Sequence, residues 1–174
     1  MKLVLIGCSM TKLPQPEYKD RRNDVLPVEL YGGQLFRKRV AQAEEQGLPW
    51  MVLSAKYGLW NPTRRAAPYD LSFRDLNPAE RAIWHVKVAH DVLHELWEPF
   101  EQGKADGPLK PADFTVVIQA GRDYYTPLDK ILTAAGVNVE IPCKGMGIGK
   151  QLAACTPRSE LPNVQARYQP WIIE

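Results

Sequence analysis

Four short apolar runs, at residues 3–6, 51–53, 114–118 and 137–141, each stop at a small polar residue that a cation follows within a few positions. Runs this short, bounded by turn residues, read as strands rather than helices. The stretches between them carry helical spacing. That alternation predicts an α/β fold with a mainly parallel sheet and helices on both faces. A chain of 174 residues suffices for one full core and is short for two. Residues 1–174 are therefore read as one three-layer domain, with an irregular, proline-rich tail at 156–174.

In an open parallel sheet, ligands bind beyond the carboxyl ends of the strands. The first end carries Gly7, Cys8, Ser9 and Lys12, and the second Ser54, Lys56, Tyr57 and Gly58. The third carries Gln119, Gly121 and Arg122, and the fourth Cys143, Lys144, Gly145, Gly147, Gly149 and Lys150. Four such ends predict one cationic, glycine-lined pocket for an anion, either a nucleotide or a nucleic-acid backbone. The net charge is only +2, yet residues 1–75 hold 12 Lys or Arg against 8 Asp or Glu. Residues 76–142 reverse the balance, at 6 against 10. An asymmetry of this kind points to a polyanionic partner, less strongly than a domain basic throughout would.

No apolar run approaches the roughly 18 residues that cross a membrane, so no membrane partner is expected. The N-terminus enters the first strand directly, and the expected location is the cytoplasm. Cys8, Cys143 and Cys155 are odd in number and widely spaced, which supports neither a disulfide framework nor a zinc knuckle. Cys8 and Cys143, both at strand ends, are expected near each other. No cofactor motif is matched. The run Gly145-Met146-Gly147-Ile148-Gly149-Lys150 lacks both the Walker A and the dinucleotide spacing. It can still gather backbone N–H groups onto an anion, or serve as a plain flexible turn.

Along the chain, residues 10–23 read as a long polar loop. Residues 28–46 read as a helix burying Leu30, Leu35, Val40 and Ala43, with Arg37, Lys38 and Arg39 mostly outside. Gly32-Gly33 weakens its start by about 1 kcal/mol per glycine relative to Ala, and marks a helix start or a close backbone approach. After a loop over 61–77, Asn77-Pro78-Ala79-Glu80 is a helix start with cap, proline and reciprocal glutamate. That helix runs to about residue 97, with Ile83, Val86, His90, Leu93 and Trp97 as its buried stripe. A loop over 103–111 closes it. A further helix spans 126–135, and a short one begins near Gly149.

The most specific local text is Ser54-Ala55-Lys56-Tyr57-Gly58-Leu59 followed by Pro68-Tyr69-Asp70. Lysine holds phosphate, tyrosine stacks on a base, and an aspartate beside a lysine serves as a base towards water. The bland alternative is a salt bridge and two half-buried rings that lock a loop. Gly121-Arg122-Asp123-Tyr124-Tyr125 repeats this chemistry at the third strand end, with one tyrosine lining the pocket and the other in the core. His85, His90 and His94 share a helix but lack the partners of a metal site. His90 is read as a hydrogen-bonded core residue, and no metal is expected.

Gly7-Cys8-Ser9 with Lys12, the run Leu30-Tyr31-Gly32-Gly33-Gln34-Leu35-Phe36, Ser54 to Leu59, Pro68-Tyr69-Asp70 and Gly145 to Gly149 together resemble a bacterial and phage family of domains of unknown function. The resemblance covers about residues 1–155. That family is distantly similar to the YaaA peroxide-stress proteins, which implies DNA binding. The Cys-Ser-x-x-Lys element resembles the base-modifying domain of archaeosine synthase, itself similar to uracil-DNA glycosylases, which implies chemistry on a nucleobase. Lys12 is here followed by Leu13-Pro14 rather than by Pro-Tyr.

The first functional reading is an enzyme acting on a nucleobase, nucleoside or nucleic acid, at the base–sugar bond or a base substituent. Asp70, Lys56 and Lys12 form its candidate catalytic set, with Asp70 orienting water and the lysines, joined by Lys150, holding phosphate. Tyr57 or Tyr69 would stack on the base. The second reading is a DNA- or RNA-binding protein without turnover, serving stress response or phage defence. The third is a sensor of a small anionic nucleotide.

Overall fold

The computed structural model describes residues 1–12, 24–101 (98–101 by backbone alone) and 110–155. The loop read over 10–23 lies outside these residues from position 13 on, as do 102–109 and the tail from 156. Among the described residues there are five strands: β1 (Lys2–Gly7), β2 (Trp50–Ser54), β3 (Gly58–Trp60), β4 (Thr115–Gln119) and β5 (Asn138–Glu140). Five α-helices accompany them: α1 (Pro27–Leu30), α2 (Gln34–Glu45), α3 (Pro78–Glu101), α4 (Arg122–Ala134) and α5 (Ile148–Ala154). Short 3-10 turns span Phe73–Asp75 and Pro111–Asp113.

The sheet order is β3-β2-β1-β4-β5, with β1 central. β1 runs parallel to β2, with Val4 opposite Trp50, and parallel to β4, with Lys2 opposite Thr115. β5 runs parallel to β4, and only β3 is antiparallel. The period-2 alternation of a strand then sorts the side chains into two cores. Leu3, Leu5, Met51, Leu53, Val116 and Ile118 pack with Trp84, Val88 and Val92 of α3 and Leu128 and Leu132 of α4. Val4, Ile6, Trp50, Val52 and Val117 pack with Phe36, Val40 and Ala43 of α2. This is the α/β domain the sequence predicts, with helices on both faces.

Several boundaries differ from expectation, among them the start of α4, which begins at Arg122 rather than at 126. The helix read over 28–46 is broken into α1 and α2, because Tyr31 adopts an extended backbone and Gly33 caps α2. The residues after β2, read as loop, turn at Gly58, whose φ of +72° only glycine adopts cheaply, and return as β3. The reciprocal cap is confirmed: Glu80 N–H donates to Asn77 Oδ1 at 3.0 Å and Asn77 N–H to Glu80 Oε2 at 2.7 Å. α3 continues past Pro99 to Glu101.

Its buried stripe overlaps the expected one only at Leu93 and Trp97, which pack half-buried against the core. Trp84, His85, Val88, Ala89, Val92 and Leu96 face the sheet, while Ile83 and Val86 are exposed and the His90 side chain is 79% exposed. His85 is the core histidine, its Nδ1 2.7 Å from the Arg81 carbonyl and its Nε2 3.0 Å from that of Asp123 on α4. On α2, Arg39 is buried rather than outside.

β1 leads through α1 and α2 to β2 on one side, whereas α3 crosses over to β4 on the other. The strand order therefore reverses between β1 and β4, which is where doubly wound sheets open a crevice. A Cβ on Gly7 would lie 3.0 Å from both Cα and Cβ of Ala120, so glycine sets the close approach of the two strand ends.

Candidate functional site

The segment leaving β1 is pinned to the break between α1 and α2. Lys12 and Tyr31 form an isolated antiparallel bridge, and Gly32 N–H donates to the Thr11 carbonyl at 3.0 Å. Ser9 Oγ accepts from Thr11 N–H at 3.0 Å. Lys12 is thereby drawn under the segment that follows β3. Its Nζ lies 3.5 Å from Asp70 Oδ1, donates to the Leu71 carbonyl at 3.3 Å, and sits 5.2 Å from the centre of the Tyr69 ring. Lys56 Nζ approaches the same ring at 5.7 Å and that of Tyr57 at 5.2 Å. The Lys12 side chain is 10% exposed and the Asp70 side chain 70%, so the pair joins a shielded cation to an open carboxylate.

Behind the lysines lies a hydroxyl cluster at the end of β2. Ser54, fully buried, has Oγ 2.7 Å from Tyr69 Oη and receives Tyr57 N–H at 3.1 Å. Tyr31 Oη is 2.5 Å from Tyr69 Oη and donates to Ser54 Oγ at 3.4 Å. Across the β1/β4 boundary, Cys8 Sγ is 3.2 Å from Tyr124 Oη. Tyr124 packs on Phe73 at 4.3 Å between ring centres, and Tyr125 is the core member of the pair.

Burial raises the pKa of all three phenols. Tyr69 is pushed up to about 12, chiefly by desolvation, with the Cys8 thiol adding to it. Tyr31 and Tyr124 rise further for the same leading reason. They serve as neutral hydrogen-bonding groups and not as bases. The folded state holds these protons more tightly than the unfolded chain does. Their stabilisation is thus complete below the unfolded value of 10.0 and is lost as pH rises through the folded values. Chemical denaturation should give a lower unfolding free energy at about pH 11 than at about pH 9, with a smaller drop in Tyr69→Phe.

The single predicted pocket is divided. Cys8, Ser9 and Lys12 after β1, Ser54, Lys56, Tyr57, Tyr69 and Asp70 after β2, and Tyr124 on α4 are linked by the contacts above. Gly58 belongs to the β2–β3 turn, where a Cβ would lie 3.3 Å from Val88 Cγ2 of α3. Gln119 is buried and donates from Nε2 to Gln42 Oε1 of α2 at 3.3 Å. Gly121 caps α4. Arg122 lines a groove of about 610 Å³ between α3 and α4, with Arg81, His85 and Ile131. Gly145, Gly147, Gly149 and Lys150 are exposed, and their segment is tied to α2 by a relay. Gln151 Nε2 donates to the Met146 carbonyl at 2.6 Å, and Arg39 donates to Gln151 Oε1 at 2.6 Å.

Sequence reasoning missed Tyr31 and Trp84 as members of the site's frame. Trp84 Nε1 donates to the Ser54 carbonyl at 2.9 Å, an arrangement that only the packing of α3 reveals. Cys8, expected near Cys143, faces Tyr124, and the Cys143 thiol acts electrostatically on that of Cys155. Among the described residues, no three His, Cys, Asp or Glu side chains converge as a metal centre requires, and no helix is long and apolar enough to cross a membrane.

No curated protein and no solved structure matches the chain significantly, and nothing in these comparisons links it to the YaaA proteins or to archaeosine synthase. Residues 3–156 match the profile of a family of unknown function, DUF6884, and the chain belongs to that family.

Proposed function

We propose that the crevice beyond β1 and β2 binds a nucleotide unit, free or within a nucleic acid, and acts on its base or its base–sugar bond. The observation that carries this reading is the joining of Lys12, Lys56, Tyr69 and Asp70, from three separate segments, around one ring. Two ammonium groups over a tyrosine face form a ledge for phosphate. The exposed Asp70 carboxylate beside them orients water or stabilises positive charge developing on the sugar. The neutral hydroxyls of Tyr31, Ser54 and Tyr69 hold the ledge in place. A duplex substrate must first extrude its base, at a cost of roughly a few kcal/mol.

The test is a thermal-shift screen with nucleobases, nucleosides, nucleotides and short single- and double-stranded DNA and RNA, at low and high salt. One nucleotide or base should raise the melting temperature, and Lys12→Ala should abolish the shift. On the substrate so identified, Asp70→Asn should retain binding and lower turnover by about 100-fold or more, the usual range for a general acid–base group. Intact turnover in Asp70→Asn overturns this division of roles.

A second reading, binding without turnover, draws on the burial of the Ser54 and Tyr31 hydroxyls, which leaves neither free to attack a substrate. It predicts a shift only with long polyanions, abolished by salt.

A further inference from the structure

Arg39 is 4% exposed, and among the described residues no carboxylate pairs with it. Its Nη2 donates to Gln151 Oε1 of α5 at 2.6 Å, while its buried Nε has no hydrogen-bond partner. A guanidinium buried without a counter-charge is costly, and protein interiors rarely leave such a donor unmet. Burial pulls the Arg39 pKa down. The Cys155 thiol acts on it electrostatically, but burial raises that thiol's own pKa, so at neutral pH it supplies no counter-charge. The same side of α2 leaves a second gap. Gln42, three residues on and so a neighbour on the helix surface, accepts from Gln119 Nε2, and the buried Gln119 Oε1 has no partner.

The two Arg39 nitrogens are not equivalent to a ligand. Nε and Nη2 lie side by side and form the fork that a carboxylate or phosphate grips with two parallel hydrogen bonds. Gln151 offers one neutral oxygen to one half of that fork, where an oxygen of an anion would sit. It also ties down the glycine-rich segment, since its Nε2 donates to the Met146 carbonyl at 2.6 Å. The cover is light. α5 buries none of its own residues, and a further tie to α2 is the bond from Lys38 Nζ to the Leu152 carbonyl at 3.3 Å. An element held by so few contacts opens at low cost. The segment is exposed, Lys150 gives it positive charge, and a Cβ on Gly147 or Gly149 would meet nothing within 4 Å.

We propose that Arg39 is a binding site for an oxyanion, in which a phosphate or carboxylate group takes the Nε–Nη2 fork in place of Gln151 and thereby releases the glycine-rich segment from α2. Gln151 is the competitor and the latch. The anion gains two charge-assisted bonds where the carboxamide makes one neutral-acceptor bond, and the buried cation gains its counter-charge. The site shares no residue with the Lys12 ledge and does not depend on that reading.

Melting curves of the full chain would be recorded in rising inorganic phosphate or acetate, with chloride holding the ionic strength constant. A saturable rise is expected with phosphate, with acetate or with both, and the anion that responds identifies the group. Arg39→Met should abolish the rise and stay folded, because an apolar chain is tolerated where an unpaired charge was buried. Gln151→Glu should abolish it by filling the fork from within. Gln151→Ala removes the competitor, so half of the rise should be reached at about tenfold less anion, the worth of one hydrogen bond to a charged group. Lys12→Ala should leave the rise in place. A rise absent from the wild type, lost in Lys12→Ala or unchanged in Gln151→Glu overturns the proposal. Hydrogen exchange over residues 144–151 should quicken with the anion in the wild type and not in Gln151→Glu. Slower or unchanged exchange in the wild type overturns the release.

Discussion

Trp84→Ala should remove about 3–5 kcal/mol of stability, the range for deleting a buried aromatic ring. Trp84 is buried at the centre of an aromatic stack, 4.9 Å from the Phe73 ring and 5.3 Å from that of Tyr124. It also donates to the Ser54 carbonyl, where β2 ends and the hydroxyl cluster begins. Truncation therefore opens a cavity and removes a donor from the Ser54 carbonyl. For a domain of this size the midpoint should fall by roughly 6–20 °C. Trp84→Phe helps to separate the two contributions, because it keeps a six-membered ring in the stack and loses the donor, which alone costs about 1–3 kcal/mol. Denaturant titrations of the three proteins measure this. A loss in Trp84→Phe equal to that in Trp84→Ala would mean that the Ser54 bond, and not the ring, holds the stack.

Gly33→Ala should destabilise by about 1–3 kcal/mol, the cost of forcing atoms into a filled space. A Cβ on Gly33 would lie 2.0 Å from Ser9 Oγ and 2.9 Å from Ser9 Cβ. Ser9 cannot step aside cheaply, since its hydroxyl accepts from Thr11 N–H in the segment that delivers Lys12. The same substitution should weaken any ligand held by Lys12. The double variant Ser9→Gly with Gly33→Ala removes the obstructing side chain, so it should recover most of the loss. Coupling between neighbours of this kind reads out in a double-mutant cycle. Additive losses would show that Gly33 matters only as the cap of α2.

The architecture was legible because the apolar runs are short and the stretches between them long, a pattern that few folds other than a parallel sheet can bury. The cap at Asn77 was legible for a local reason, as both of its hydrogen bonds join residues three apart. The buried face of α3 was not. Ile83, Val86, Leu93 and Trp97 make a plausible apolar stripe, but Trp84 and His85 each bury a ring whose polar atoms reach backbone carbonyls, and hydrophobicity alone does not register that. The site was half legible. A strand-end rule finds which residues stand at the carboxyl edge, and it found Cys8, Lys12, Ser54, Lys56 and, one loop further, Tyr69 and Asp70. It does not say to which face the chain turns next. Arg122 turns into the α3/α4 groove and the glycine-rich segment onto α2, so their chemistry belongs to other places. Tyr31 was hidden in what read as a continuous helix.

The central position of β1 fixes the order in which this protein becomes competent during its own synthesis. β1 emerges first from the ribosome, but its second neighbour begins at Thr115 and the Cys8 contact waits for Tyr124, 116 residues later. Chains lengthen by roughly 5–20 residues per second, so for seconds one apolar edge of β1 has nothing to pair with. Such an edge recruits other strands. A chain stalled before β4 carries every residue of the Lys12, Tyr69 and Asp70 cluster and still lacks Tyr124, the partner of the Cys8 thiol beside it.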